Sequence, residues 1–197
     1  MTPSDVILTP HEHHDGMGSS FVKNLVGGIE TPLVLLFQRS LETGQVPEQW
    51  KEANVTAIYK REGKRCDPGN YRPVSLTSQV GKLFERIIRD YLVKFLEDNK
   101  LLRDSQHGFR TKRSCLTNLL EFLDLVSDWV DEGIPVDAVY LDFQKAFDKV
   151  SHSKLLSKMD RYGIDKGVVR WVRSWLSGRR QRVVIDGVAS GWELVLS

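Results

Sequence analysis

Apolar residues first recur at helical spacing at Leu33, Leu36, Phe37 and Leu41, and Gly44 stops that run. Residues 53–59, Ala-Asn-Val-Thr-Ala-Ile-Tyr, alternate as a strand does. A loop follows from Lys60 to Asn70, turning at Pro68-Gly69-Asn70, and Arg72-Pro-Val-Ser-Leu is a second extended piece. Residues 79–98 place Val80, Leu83, Phe84, Ile87, Ile88, Tyr91, Leu92 and Phe95 on one face of a long amphipathic helix. Ser114 is the expected cap of the next helix, which carries Leu116, Leu119, Leu120, Leu123 and Val126 and ends at Gly133-Ile-Pro135. A short apolar strand around Val139–Phe143 comes next, then helices near 152–162 and 166–176. The tail reads as a hairpin of Arg182-Val-Val-Ile-Asp186, a turn at Gly187, and Trp192-Glu-Leu-Val-Leu196. Residues 1–18 have no such pattern and read as irregular. Helix, hairpin, helices, central strand, helices and hairpin make an α+β order.

Composition narrows this little. With 197 residues the chain is one domain or slightly more, and an apolar share of 41% supplies a core and excludes general disorder. The net charge is only +2, so the position of the bases matters more than their number. Lys60, Arg61, Lys64, Arg65 and Arg72 form one cluster, Arg103, Arg110, Lys112 and Arg113 a second, and Arg173, Arg179, Arg180 and Arg182 a third. Each lies at a Gly- or Pro-marked break, which fits phosphate contacts on loops as well as a solvated face. Cys66 and Cys115 lack a pairing pattern and suit reduced thiols in an intracellular protein. The chain shows no signal-peptide pattern and no run of about 18 apolar residues, so neither secretion nor a membrane span is expected. His11-Glu-His-His-Asp15 has metal-binding residue types but no second ligand cluster.

The strand around Val139–Phe143 carries the candidate chemistry. At period two, Val139, Leu141 and Phe143 share one face, and Tyr140 and Asp142 the other. A carboxylate among apolar neighbours is costly unless a cation or hydrogen bonds satisfy it. Asp142 is therefore either a metal ligand facing a cleft or the cap of the following turn.

Four segments in order, Trp50–Lys60, Gly69-Asn-Tyr-Arg-Pro-Val-Ser-Leu76, Gln106-His-Gly-Phe-Arg110 and Leu141-Asp-Phe-Gln-Lys-Ala-Phe-Asp-Lys-Val150, together resemble the reverse transcriptase of non-LTR, LINE-type, jockey-like retrotransposons. The resemblance spans roughly residues 15–197. It implies a partial right-hand polymerase fold: a flexible segment over 1–14, helical fingers with a small β-hairpin over 15–113, and the start of an antiparallel palm sheet over 114–197. It implies RNA-directed DNA synthesis from an RNA template, a DNA primer and deoxynucleoside triphosphates, with two Mg2+ ions held by Asp142 and the backbone carbonyl of Phe143. By the same resemblance Lys60, Arg72, Lys145, Ala146 and Phe147 bind the incoming nucleotide. Phe147 would be the steric gate against a 2′-hydroxyl, though a ring at this position also suits ordinary core packing. Gln106, Gly108, Phe109 and Arg110 resemble the template-strand segment, and Arg179, Arg180 and Arg182 are candidates for primer or template backbone. The implied location is cytoplasm or nucleus.

Two departures qualify this. The family continues with a Gly-x-Pro-Gln-Gly-type segment and an aromatic-x-Asp-Asp turn that supplies further metal ligands, and this chain contains no Asp-Asp pair. One carboxylate does not hold two magnesium ions, so the chain alone is expected to be inactive, a fragment or a degenerate copy. The alternative is a non-catalytic nucleic-acid-binding remnant. At residues 13–17, His-His-Asp-Gly-Met replaces the family's Gly-Pro-Asp-Gly-type turn.

Overall fold

The computed structural model describes residue 28, residues 30–143 and residues 146–195. The order is α1 (Glu30–Thr43), a 3-10 turn (Glu48–Lys51), β1 (Glu52–Tyr59), a 3-10 turn (Pro68–Asn70), β2 (Tyr71–Leu76), α2 (Gln79–Asp98), α3 (Cys115–Asp131), α4 (His152–Arg161), α5 (Lys166–Leu176), β3 (Arg180–Ile185), β4 (Val188–Ala189) and β5 (Glu193–Leu194). The chain divides into two compact units, one of residues up to 88 together with 151 onward, the other of residues 89–150. Helix α2 contributes its first half to one and its second half to the other.

The first unit is built on a mixed sheet. β1 pairs antiparallel with β2, from Asn54 opposite Leu76 to Tyr59 opposite Tyr71. It pairs parallel with β3, with Glu52 opposite Arg180 and Val55 opposite Val183. β3 also pairs antiparallel with β4 and with β5, so the expected tail hairpin forms and is extended by the β4 pairing. Its turn is two residues, Asp186 at φ 49° and Gly187 at φ 80°, the left-handed pair that matches the twist of a tight hairpin.

An aromatic cluster fills the core of this unit. Phe37 stacks on Phe84 at 4.5 Å, and Trp50 and Trp171 meet Phe84 edge-on at 6.1 and 5.1 Å. Gly81 lets the indole of Trp50 approach α2, since a Cβ there would come within 3.2 Å of the ring. Trp171 is only 2% exposed, so its indole N–H must find a partner. It donates to Ser40 Oγ at 2.9 Å, and Ser40 Oγ donates to the Gln45 carbonyl at 2.6 Å. Asp165 caps α5 by accepting from the amides of Gly167 and Val168, which orients its apolar face inward.

In the second unit Ser114 caps α3 with a reciprocal bond to Thr117. After Gly133 the chain runs beside α3, where Tyr140 and Phe122 rings lie 6.4 Å apart. Here the structure corrects one expectation. Residues around Val139–Phe143 have no strand structure, and Val139, Tyr140, Leu141 and Phe143 are about four-fifths exposed. Alternation assigns faces, but a strand also needs a partner for its ladder, and none of the described strands pairs with this segment.

Candidate nucleotide and template site

In the first unit, the β1–β2 hairpin carries the candidate nucleotide contacts. Ile58 lies opposite Arg72 in the ladder, so their side chains share one face, and Lys60 continues that face by alternation. The loop between the strands is tightly laced. The Lys60 amide donates to the Asn70 carbonyl at 2.8 Å and its Nζ donates to the Gly69 carbonyl at 2.7 Å. The Tyr59 and Tyr71 hydroxyls donate to the carbonyls of Gly63 and Arg65 at 2.6 and 2.8 Å. Arg65 lies over the Tyr59 ring at 5.4 Å. The Lys60 ammonium thus fastens the turn, while Arg72 is exposed and has no hydrogen bond or ion pair among the described residues.

The arginines of β3 are engaged by the fold. Arg180 is ion-paired with Glu52, its neighbour in the parallel register. Arg182 Nε donates to Asn54 Oδ1 at 2.8 Å, and its guanidinium lies 4.6 Å from the Trp192 ring centre, with that of Arg180 at 5.7 Å. Arg179 stacks on Trp175 at 4.3 Å, and burial pushes its pKa below the usual arginine value while the Glu85 carboxylate opposes that shift. Glu85 also accepts from the Trp175 indole at 3.0 Å. The pattern of bases signalled the cluster; the partners Glu52, Asn54, Trp175 and Trp192 come from other elements and were not anticipated.

In the second unit, Gln106–Arg110, the candidate template segment, lies within the basic stretch of residues 103–113. His107 is its anchor, a residue the reading of Gln106, Gly108, Phe109 and Arg110 passed over. The ring is buried, with Nδ1 2.8 Å from the Thr117 hydroxyl and Nε2 2.7 Å from Glu121 Oε2. A carboxylate only accepts, so this contact assigns a proton to Nε2. Arg113 Nη1 adds a second donor to Glu121 Oε2 at 3.4 Å. The signal was present in the sequence, because Thr117 and Glu121 are four residues apart and share a face of α3. Arg110 is folded back, with Nη1 donating to the Arg103 carbonyl at 3.0 Å and Nε buried without a partner. Gln106 Nε2 donates to the Gly108 carbonyl at 3.4 Å. Between these anchors Phe109 adopts φ 61° and is 85% exposed. A left-handed conformation costs a non-glycine residue about 1–2 kcal/mol. A Cβ on Gly108 would meet nothing within 4 Å, so nothing in the fold demands glycine there.

Asp142, Phe143 and Ala146 are exposed in the same unit, and Lys145 lies outside the described residues. Phe147 sits in the turn of residues 146–149, 81% exposed, with its ring 6.4 Å from that of Phe109 and perpendicular to it. Among the described residues no three Asp, Glu, His or Cys side chains come together as a metal site, and no helix is long and apolar enough to cross a membrane.

A family model described as reverse transcriptase (RNA-dependent DNA polymerase) matches residues 58–195. The chain belongs to the reverse transcriptase family. Several of its curated relatives are named as proteins of mobile elements. The chain is 32% identical to the probable RNA-directed DNA polymerase from transposon BS of Drosophila melanogaster, over 75% of this chain and 16% of that protein. It is 31% identical to the RNA-directed DNA polymerase from mobile element jockey of the same organism, over 80% of this chain and 17% of that protein. It is 34% identical to the Pol polyprotein from the type-1 retrotransposable element R2 of Popillia japonica, over 71% and 19%. The chain spans about a sixth of the length of the first two relatives. Reverse transcriptases use divalent metal ions as a family, and such ions need several oxygen donors; Asp142 is exposed, and no group of three ligand-type side chains forms around it among the described residues. The donor type of Asp142 fits such an ion, and the donor set among the described residues does not.

Proposed function

We propose that this chain forms the fingers and the start of the palm of an RNA-directed DNA polymerase from a non-LTR retrotransposon, with the boundary near residue 113. The observation that carries this reading is the family match across residues 58–195, which contains Lys60, Arg72, Gln106–Arg110, Asp142 and Phe147. The proposed partners are an RNA template, a DNA primer and deoxynucleoside triphosphates, and the proposed metal is Mg2+, which prefers hard oxygen donors such as the Asp142 carboxylate and the Phe143 carbonyl. The exposed Cys66 and Cys115 thiols suit a reducing compartment, cytoplasm or nucleus.

Each residue has a task its surroundings support. Arg72 offers an unengaged planar fork to triphosphate oxygens, and Lys60 holds the turn that presents it. Gly108 leaves open space beside the segment proposed to carry the template. Phe147 presents a ring able to exclude a ribose 2′-hydroxyl. Arg179, Arg180 and Arg182 carry charge toward nucleic acid while their guanidiniums are held by Trp175, Glu52, Asn54 and Trp192, so their contribution is to local field more than to direct phosphate contacts.

The test is primer extension on an RNA template with magnesium and deoxynucleotides, comparing the 197-residue chain with a longer polymerase that contains it. The longer protein is expected to extend the primer, and Asp142→Asn in it to abolish synthesis while sparing template binding. Full activity in Asp142→Asn removes Asp142 from the metal site. Salt-dependent binding with no synthesis in either protein favours the second reading, a nucleic-acid-binding remnant, to which the lack of a metal cluster among the described residues gives weight.

A further inference from the structure

Phe109 and Phe147 are each more than four-fifths exposed, yet their rings meet edge to face at 6.4 Å and 90°. Nothing in folding drives two isolated surface rings to such an arrangement, because each keeps most of its area in water. Phe109 reaches it from a left-handed backbone, φ 61°, which a bulky residue avoids. That conformation is imposed from both sides. His107, buried against Thr117 and Glu121, fixes the chain before it, and Arg110, bonded to the Arg103 carbonyl, fixes the chain after it. Strain that the surroundings over-determine marks a position with a task.

Phe147 needs such a prop. Among the described residues its ring meets no aromatic ring other than Phe109. A side chain so exposed turns freely about its χ angles, and a freely turning ring discriminates poorly between a hydrogen and a hydroxyl on a sugar. We propose that Phe109 is a positioning residue for sugar selection: its ring, pinned edge-on to Phe147, holds the gate ring in one orientation. This makes the segment read as template-facing also a determinant of which nucleotide sugar is accepted. The proposal rests on the reading of Phe147 as the gate.

The experiment uses the full-length polymerase carrying this sequence and measures kcat/KM for a deoxynucleotide and the matching ribonucleotide. The variants are Phe109→Leu, Phe109→Tyr, Phe147→Val and the Phe109→Leu/Phe147→Val double. An edge-to-face pair of this kind biases orientation by about two- to tenfold, so Phe109→Leu is expected to lower the deoxy-to-ribo preference by that factor. Phe109→Tyr, which keeps the ring, is expected to retain the preference. The double variant is expected to be no worse than Phe147→Val alone, because the prop has nothing left to hold. A merely structural role for Phe109 would lower both rates together and leave their ratio unmoved. An unchanged ratio in Phe109→Leu, alongside a lowered ratio in Phe147→Val, overturns the proposal and leaves the gate standing. An unchanged ratio in Phe147→Val overturns the gate itself, and the proposal with it.

Discussion

Replacing His107 by alanine should release the segment from Arg103 to Arg113 without unfolding the rest of the chain. The ring makes two short side-chain hydrogen bonds, 2.8 Å to the Thr117 hydroxyl and 2.7 Å to the Glu121 carboxylate, with Arg113 Nη1 3.3 Å from the same Nε2. A bond to a charged partner contributes about 1.5–3 kcal/mol and a neutral one about 0.5–1.5. Glu121 is 45% exposed, so water replaces the lost donor and the lower part of the first range applies. Thr117 keeps its bonds to Ser114, so no group is orphaned there. The loss is then about 2–3.5 kcal/mol, read as local opening. At 1.4 kcal/mol per factor of ten, this is roughly a 30- to 300-fold rise in the open population. Amide hydrogen exchange at Gly108–Arg113 and in the first turns of α3 measures it directly. Glu121→Gln keeps an acceptor but removes the charge and should show a smaller acceleration. Exchange within about threefold of the unmodified chain in His107→Ala, well below that range, would refute the anchoring role.

Two further substitutions test other parts of the structure. Arg72→Ala in a longer polymerase should lower kcat/KM for deoxynucleotides by about 1.5–3 kcal/mol, the scale of a charge-assisted bond, and an unchanged value means that Arg72 does not reach the triphosphate. Ser40→Ala should destabilise the first unit by about 1–3 kcal/mol in a urea titration, because the Trp171 indole N–H, 2.9 Å from the lost oxygen, is left buried without a partner. In a Trp171→Phe background the same change should cost measurably less, and additivity within about 0.3 kcal/mol would contradict the account.

The helices were legible because each declares itself within its own sequence. The stripe of Phe84 and Ile88, the Ser114 cap and the Gly44 stop are local, and they place α1, α2 and α3 nearly residue for residue. The sheet was legible only in part. Each hairpin can be read from its own turn, but the parallel pairing of β1 with β3 joins residues on the order of a hundred positions apart, and nothing near Asn54 announces Arg182. Asp142 shows the reverse error, a strand pattern with which no described strand pairs. The candidate site was legible as a set of residue types and much less as a set of contacts. Arg110 and Arg180 have the charge expected of phosphate ligands, yet a carbonyl and a carboxylate of the chain itself occupy them. His107 was passed over because its partners lie on the next helix.

The parallel pairing also sets a timetable for synthesis. Asn54 leaves the ribosome 128 residues ahead of its partner Arg182. At about 5–20 residues per second that separation lasts roughly 6–25 s. Throughout the interval β1 is covered by β2 on one side and presents an unpaired row of amides and carbonyls on the other, the kind of edge that recruits stray strands. The whole of residues 89–150 is made within the same interval and is free to close on itself first. Residues 180–185 therefore act as a late latch on the nascent chain, and slowing translation just before them would lengthen the period in which the chain is most exposed to mispairing.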